Sequence, residues 1–156
     1  MIITRAPFRV SFLGGGTDFP AWYREKPGAV LSTTIDKYCY IFARWLPPYF
    51  EHRHRVVWSK IELALQSSDI SHPVVREVMD YLHITEGVEI HHAGDLPARS
   101  GMGASSSFTV ALLQAMSVLL GNQIGERALA QAAIYIEQER CKEWVGSQDQ
   151  VAAAYG

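Results

Sequence analysis

Residues 95–108 form the segment whose composition is best suited to binding an anion. The segment is rich in glycine, alanine and serine, and it leads into an apolar run that ends at Gly121. The first N–H groups of a helix have no partner within the helix and lie in positive potential, so small residues there allow a phosphate to approach the backbone. Serine hydroxyls add hydrogen-bond donors and an oxygen ligand for Mg²⁺. A turn that merely caps a buried helix would leave the same pattern.

This segment differs from the phosphate loop of Walker-type nucleotide-binding proteins. A Walker loop has Lys followed by Ser or Thr after its second glycine, whereas Ala104 follows Gly103 here. The segment therefore offers a backbone cradle without that lysine. Whether this segment is an anion-binding loop or only a helix cap has to be judged from the rest of the chain.

Glycines and carboxylates elsewhere in the chain are candidates to complete such a site. The run Gly14 to Gly16 precedes Thr17 and Asp18, and consecutive glycines indicate positive φ or a close approach of the backbone. Asp18 is suited to cap the next turn or to bind hydroxyls of a ligand. Asp149 is predicted at or near a helix N-terminus, which favours its anionic form, although capping alone would also explain it.

Two glutamates, Glu137 and Glu139, lie near the end of a predicted helix. A helix C-terminus disfavours carboxylates because the helix dipole is negative there. One of the two glutamates therefore requires a compensating partner, such as a cation. The adjacent His91 and His92 are predicted on opposite faces of a strand, so they cannot chelate one metal together and we interpret them as structural.

The composition is that of a globular chain of one-domain size. The 156 residues are 48% hydrophobic and carry a formal net charge of −2, so no global basic field attracts nucleic acid or an anionic membrane. The N-terminus lacks the apolar stretch of a signal peptide, and we predict no membrane partner. Two cysteines without metal-ligand spacing indicate a reducing, cytoplasmic setting.

Strands dominate the first part of the predicted structure and helices the second. The predicted strands are residues 2–12, 28–35, 37–46, 55–59 and 88–92. The predicted helices are residues 71–82, 108–120, 126–139 and 150–155. We interpret the second and third strands as a pair separated at Asp36. Because strands and helices do not alternate regularly, an α+β sandwich fits better than a doubly wound sheet.

Three segments together resemble the GHMP kinases, the family of galactokinase, homoserine kinase, mevalonate kinase and phosphomevalonate kinase. Residues 6–19 are similar to the opening motif of the sugar-kinase members, residues 97–106 to the ATP-binding loop, and residues 146–150 to the segment with the catalytic aspartate. The resemblance implies that residues 1–156 are the N-terminal, ATP-binding domain, with the α+β sandwich fold of ribosomal protein S5 domain 2. It also implies a C-terminal half, absent after Gly156, and exposed apolar surface where that half would pack.

The resemblance assigns roles to individual residues, because phosphoryl transfer needs mainly positioning and charge neutralisation. It implies that Asp149 takes or orients the proton of the accepting hydroxyl, and that Arg9 stabilises developing charge and keeps Asp149 ionised. Mg²⁺ would be bound by Ser105 and by Glu139, with Glu137 as the alternative. The residues implied to bind ATP are Pro97, Arg99, Ser100, Gly101, Met102, Gly103, Ala104, Ser105 and Ser106. The residues implied to contact the substrate are Gly15, Gly16, Thr17 and Asp18.

One branch of the family matches in further segments. Residues 14–20, 32–38, 72–77 and 146–150 resemble the D-glycero-D-manno-heptose 7-phosphate kinases, which phosphorylate the anomeric hydroxyl of a sugar phosphate. The resemblance therefore implies an ATP-dependent sugar kinase acting on that substrate. Gly15-Gly16 replaces the Glu and His of galactokinases, so galactose is disfavoured. The alternatives are a fucokinase- or galactokinase-like enzyme, a kinase for a non-sugar alcohol, and a non-catalytic nucleotide- or sugar-binding module.

A substrate that carries a phosphate also needs a cation from the protein. The candidates, among which the sequence does not choose, are Arg24, Lys26, Arg53 and Arg55. Because the resemblance assigns half of the cleft to the C-terminal half, we expect little or no kinase activity from residues 1–156 alone.

Overall fold

The computed structural model describes residues 1–97 and 100–156. The strands are β1 (Ile2–Ser11), β2 (Ser32–Trp45), β3 (His54–Val57), β4 (Ile61–Ala64) and β5 (Val88–Gly94). The α-helices are α1 (Pro20–Tyr23), α2 (Pro73–Tyr81), α3 (Ala104–Leu119), α4 (Glu126–Tyr135) and α5 (Gln148–Tyr155). A short 3₁₀ helix spans Ser67–Asp69, and a π-helical turn, Ile136–Arg140, continues α4.

The five strands form one mixed sheet in the order β1-β2-β5-β3-β4. Neighbouring strands are antiparallel except β3 and β5, which are parallel. Helices α3 and α5 pack on β1 and β2, and α2 and α4 pack against α3. The α+β prediction is therefore confirmed, with the sheet on one side of the core and the helices on the other.

Helix α3 lies at the centre of the core. Its residues from Ser106 to Leu113 are all buried, as expected for a helix that is apolar on nearly every side. Two side-chain hydrogen bonds fix it to β1: Thr4 Oγ1 donates to the Ala111 carbonyl at 2.7 Å, and Ser107 Oγ donates to the Pro7 carbonyl at 2.7 Å. The start of α3 is thereby held beside β1, where the predicted anion site must form.

The predicted strand pair around Asp36 is wrong, because β2 is one continuous strand. Its pairing with β1 passes from Pro7 opposite Tyr38 to Arg9 opposite Thr34, so three residues of β2 lie opposite one residue of β1. This bulge accommodates the exposed Asp36 without a reversal of the chain. The polar residues therefore mark a bulge where the sequence pattern indicated a turn.

Strand β4 was absent from the sequence prediction. It is four residues long and forms a hairpin with β3. A hydrogen bond from the Trp58 N–H to the Lys60 carbonyl closes the hairpin. Cys39 and Cys141 are both free thiols, and no helix in the described part of the chain is long and apolar enough to cross a membrane.

Candidate functional site

Arg9 and Asp149 form the central ion pair of the site, although they lie 140 positions apart in sequence. Arg9 Nε donates to Asp149 Oδ1 at 2.7 Å and Arg9 Nη2 donates to Asp149 Oδ2 at 2.8 Å. The two side chains are 11% and 23% exposed. This bidentate geometry is the strongest form of an arginine–carboxylate contact, and it holds the partly exposed carboxylate in a fixed orientation.

The glycine loop lies directly against this pair. Arg9 Nη1 donates to the Gly101 carbonyl at 2.8 Å, and the Arg9 N–H donates to the Met102 carbonyl at 3.1 Å. Gly103, the N-cap of α3, has φ +74°, and a Cβ there would lie 3.3 Å from Asp149 Oδ2. Both its conformation and its contacts therefore favour glycine. The loop, β1 and α5 meet at this residue.

The N-terminus of α3 provides the expected donors at the same place. Because Gly103 has no side chain to cap the helix, the first amides of α3 are available to an anion. Ser105 is exposed in the first turn, whereas Ser106 is buried. Pro97 and Ser100 flank the loop, and Arg99, predicted to bind ATP, lies outside the described residues.

Glu137 is fully buried beside the start of α3. Ser106 Oγ donates to Glu137 Oε2 at 2.9 Å and Gln150 Nε2 donates to the same oxygen at 2.5 Å, while Oε1 has no hydrogen-bond partner among the described residues. Burial raises the pKa of Glu137, against the hydrogen bonds of Thr109, Ser106 and Gln150, which lower it. A cation bound beside this buried carboxylate would compensate the cost of its burial.

Glu139, the residue predicted to bind Mg²⁺, points away from this cluster. Its carboxylate is 55% exposed and accepts a hydrogen bond from Arg24 Nη2 at 3.1 Å. Residues two positions apart point to nearly opposite faces of a helix, so Glu137 continues the buried face of Ala133 and Ile136 while Glu139 lies at the surface. Of the two glutamates left open by the sequence, Glu137 is the one next to the loop.

The predicted substrate residues are mostly engaged within the protein. Asp18 is 8% exposed, and its carboxylate accepts the N–H of Gly16 at 2.7 Å and that of Gln148 at 3.2 Å. Thr17 Oγ1 bonds to both backbone groups of Ala29. Gly15 and Gly16 are exposed, so this segment presents mainly backbone to the solvent.

Two clefts flank Asp18, with volumes of about 430 and 490 Å³. Both are lined by Asp18, Val30 and Ser147. Thr17 and Tyr23 line the first, whereas the start of β2 and α5 line the second. Each cleft is large enough to hold a small polar ligand beside Asp18.

The candidate cations for a substrate phosphate divide into two groups. Arg53 donates to the Thr85 carbonyl and Arg55 to Glu89. The β-sheet register places Glu89 opposite Arg44 near the end of β2, whereas Arg9 pairs with Thr34 near its start. Arg53 and Arg55 therefore lie at the end of the sheet away from Arg9. The other two candidates, Arg24 and Lys26, follow α1, next to the first cleft.

Sequence reasoning missed Gln150 and Thr109 as neighbours of the buried carboxylate. Gln150 follows Asp149 directly and is fully buried. A polar side chain is seldom fully buried unless it has a hydrogen-bond partner, which for Gln150 is Glu137. A polar residue on the inner face of a predicted helix was the available signal.

Comparison with known proteins gives a consistent result. Residues 69–156 match the family model described as the GHMP kinases N terminal domain. The chain is 31% identical, over 99% of its length, to the D-glycero-alpha-D-manno-heptose 7-phosphate kinase of Campylobacter jejuni. It superposes over its whole length, with a TM-score of 0.84 and 26% identity, on a D-glycero-D-manno-heptose 1-phosphate kinase from Bacteroides thetaiotaomicron.

The same fold occurs in more distant proteins. The galactokinase of Lactococcus lactis superposes on 97% of the chain with a TM-score of 0.75, at 18% identity. The chain covers 48% of the Campylobacter relative, 54% of the Bacteroides structure and 42% of the galactokinase. It therefore spans about half the length of the proteins it matches.

Proposed function

The chain belongs to the GHMP kinase family, and from that premise we propose that it is the nucleotide-binding part of an ATP-dependent sugar kinase. The single observation that supports this most directly is the Arg9–Asp149 pair against Gly103, at the start of α3. It combines a candidate base, a fixed cation and a helix N-terminus in one place. Phosphoryl transfer requires that combination of positioning and charge stabilisation.

The loop and the first turn of α3 bind the phosphates of ATP in this proposal. The amides between Gly101 and Ser106 face the anion, and the positive end of the α3 dipole stabilises it. Pro97 and Ser100 border the loop on its N-terminal side, and Arg99 belongs to the same proposed set.

For the metal, we assign Glu137 in place of Glu139, together with the hydroxyl of Ser105. The unpartnered Oε1 of Glu137, its raised pKa and its contact with Ser106 fit a hard cation that takes oxygen ligands. Mg²⁺ bound there would neutralise charge on the ATP phosphates. Two protein oxygens suffice in this proposal, since Mg²⁺ commonly keeps waters and phosphate oxygens as its other ligands.

Asp149 acts on the accepting sugar hydroxyl. It orients that hydroxyl and accepts its proton as the sugar oxygen bonds to the γ-phosphorus and the bond to ADP breaks. Arg9 fixes the Asp149 carboxylate through its two hydrogen bonds, and it lies close enough to the loop to stabilise charge on the transferred group.

The proposed substrate is D-glycero-D-manno-heptose 7-phosphate, phosphorylated at its anomeric hydroxyl. The similarity to a heptose 7-phosphate kinase and to a heptose 1-phosphate kinase supports a heptose phosphate as the substrate class. The sugar would lie along Gly15 and Gly16 in the clefts beside Asp18. Arg24 and Lys26 are the proposed cations for its phosphate, since they follow Tyr23, which lines the first cleft.

We propose that the second half of the kinase covers the cleft and completes it. Several apolar side chains are exposed on the segments that border the site: Phe12, Leu13, Leu31, Val151 and Tyr155. Their burial by another domain would stabilise the pair of domains through the hydrophobic effect. A cytoplasmic location, where ATP is available, belongs to the same proposal.

The test is ADP release with Mg²⁺, ATP and a panel of heptose 7-phosphate, heptose 1-phosphate, fucose, galactose and homoserine. We expect turnover with heptose 7-phosphate from a full-length kinase that carries this sequence, and little or none from residues 1–156 alone. Turnover with homoserine but no sugar would contradict the sugar assignment. Full turnover by residues 1–156 alone would contradict the need for a second half.

A further inference from the structure

The start of α5 is capped by a residue 130 positions earlier in the chain. The N–H of Gln148, the first residue of α5, donates to Asp18 Oδ2 at 3.2 Å. An N–H at this position has no acceptor inside the helix, so Asp18 does what an N-cap side chain does in most helices. Ser147, at the N-cap itself, donates its N–H and its hydroxyl to the Asp18 carbonyl oxygen, at 3.1 and 3.2 Å.

Two glycines make room for the Asp18 carboxylate. A Cβ at Gly146 would overlap Asp18 Oδ2, and a Cβ at Gly15 would lie 2.7 Å from Asp18 Oδ1. Both glycines have φ outside the left-handed region, so the contact with the carboxylate, rather than backbone conformation, requires glycine here. Asp18 is therefore closely packed between the two segments that it joins.

Asp149 is the next residue after Gln148, so contacts from two separate segments fix two neighbouring residues of α5. Asp18 fixes the backbone at Gln148, and Arg9 fixes the Asp149 carboxylate with two hydrogen bonds. A group that acts on a hydroxyl must lie within hydrogen-bond reach of it, and a displacement of about 1 Å can lower the rate about 100-fold. The precision of Asp149 therefore depends on both contacts.

We propose that Asp18 is a positioning residue, which fixes the first turn of α5 and so holds the Asp149 carboxylate in place for phosphoryl transfer. This inference rests on the sugar kinase function proposed above. The contacts of Asp18 support the inference, because both carboxylate oxygens already accept backbone N–H groups and the residue is 8% exposed.

The kinetic test uses Asp18→Asn and Gly146→Ala in a full-length kinase that carries this sequence. In Asp18→Asn, the side-chain N–H₂ group faces a backbone N–H donor and cannot accept its hydrogen bond. In Gly146→Ala, the added methyl group displaces the Asp18 carboxylate without changing its charge. Gly125→Ala is the matched control, since a Cβ there has open space and φ is −77°. We expect both variants to lower kcat about 100-fold while the KM for the sugar stays unchanged, and the control to match the unsubstituted kinase.

A second readout does not require activity. In the 156-residue chain, the Arg9 Nε–H signal in a ¹⁵N–¹H NMR spectrum reports the hydrogen bond to Asp149. We expect this signal to shift or broaden in Asp18→Asn and Gly146→Ala and to remain unchanged in Gly125→Ala. If one of the two variants fails to fold, the other decides the result.

The outcomes separate the positioning role of Asp18 from the sugar kinase function. Loss of kcat with a perturbed Arg9 signal supports positioning. A raised KM for the sugar with kcat retained would show direct sugar binding and overturn it, as would an Arg9 signal identical to that of the unsubstituted chain. If the unsubstituted full-length protein phosphorylates no sugar, the kinase proposal fails, and the Arg9 signal alone still decides whether Asp18 positions Asp149.

Discussion

At the scale of single residues, the site depends on the paired hydrogen bonds between Arg9 and Asp149. A guanidinium presents two parallel N–H donors that match a carboxylate, whereas an ammonium is a point charge without that planar geometry. The same Arg9 side chain also donates to Gly101 of the loop. One side chain therefore sets the distance between the candidate base and the phosphate-binding backbone.

The first prediction follows from this geometry. Arg9→Lys keeps the positive charge but loses the bidentate contact, so we expect kcat of the full-length kinase to fall about 100-fold. Arg5→Lys is the matched control, because Arg5 lies on the same strand, is exposed and stacks on Tyr38 at 4.5 Å. Steady-state kinetics checks this, and an Arg9→Lys enzyme as active as Arg5→Lys would contradict the role of the pair.

The second prediction concerns the stability of the metal-free chain as pH changes. Burial raises the pKa of Glu137 in the folded state, so between the ordinary glutamate pKa and that raised pKa the folded chain binds more protons than the unfolded chain. The contribution of Glu137 to the free energy of unfolding therefore decreases as pH rises through this range. Glu137→Gln removes this contribution, because a glutamine stays neutral.

Urea unfolding of residues 1–156 at about pH 5 and about pH 7.5 measures the effect. We expect Glu137→Gln to lose less stability than the unsubstituted chain between the two pH values. Glu139→Gln is the control, since that side chain is exposed. An identical pH dependence in Glu137→Gln and the unsubstituted chain would show that Glu137 is ionised in the fold.

At the scale of elements, the N-terminus of α3 is held against β1 and α5, and Gly103 is the point of contact. Its φ of +74° costs an L-residue about 1 kcal/mol or more. The contact distance of 3.3 Å from a Cβ to Asp149 adds a steric requirement. Gly101 also has a positive φ, +75°, but a Cβ there would have open space.

The third prediction compares these two glycines. Gly101→Ala should lower the free energy of unfolding by about 1 kcal/mol, through backbone strain alone. Gly103→Ala should lower it further and should also weaken ATP binding, because the added methyl group displaces the Asp149 carboxylate. Urea unfolding and calorimetric titration with ATP and Mg²⁺ measure the two effects. Equal losses of stability in both variants would contradict the steric part of the argument.

Elements also show where sequence reasoning succeeds and where it fails. The glycine loop before α3 and the placement of Asp149 near the start of α5 follow from local patterns of small, apolar and capping residues. The apolar pattern also contained the choice between Glu137 and Glu139, because Glu137 lies four residues after the buried Ala133 on the inner face of the helix. The contact of Asp18 with Gln148 joins segments 130 positions apart, and no local pattern contains it.

At the scale of the whole molecule, the sheet and helices bring together segments from both ends of the chain. Arg9 comes from the first strand, the loop from the connection between β5 and α3, and Asp149 from the last helix. The resemblance of three separated segments to one family already implied that they meet, and the structure confirms the fold.

The most direct test of the account is single-turnover phosphoryl transfer by Asp149→Asn in a full-length kinase that carries this sequence. The substitution keeps the size of the side chain but removes its charge and its capacity to accept a proton. With heptose 7-phosphate, Mg²⁺ and ATP, we expect the rate to fall about 1,000-fold while ATP affinity is retained. A rate equal to that of the unsubstituted kinase would show that Asp149 does not act on the hydroxyl and would contradict the central claim.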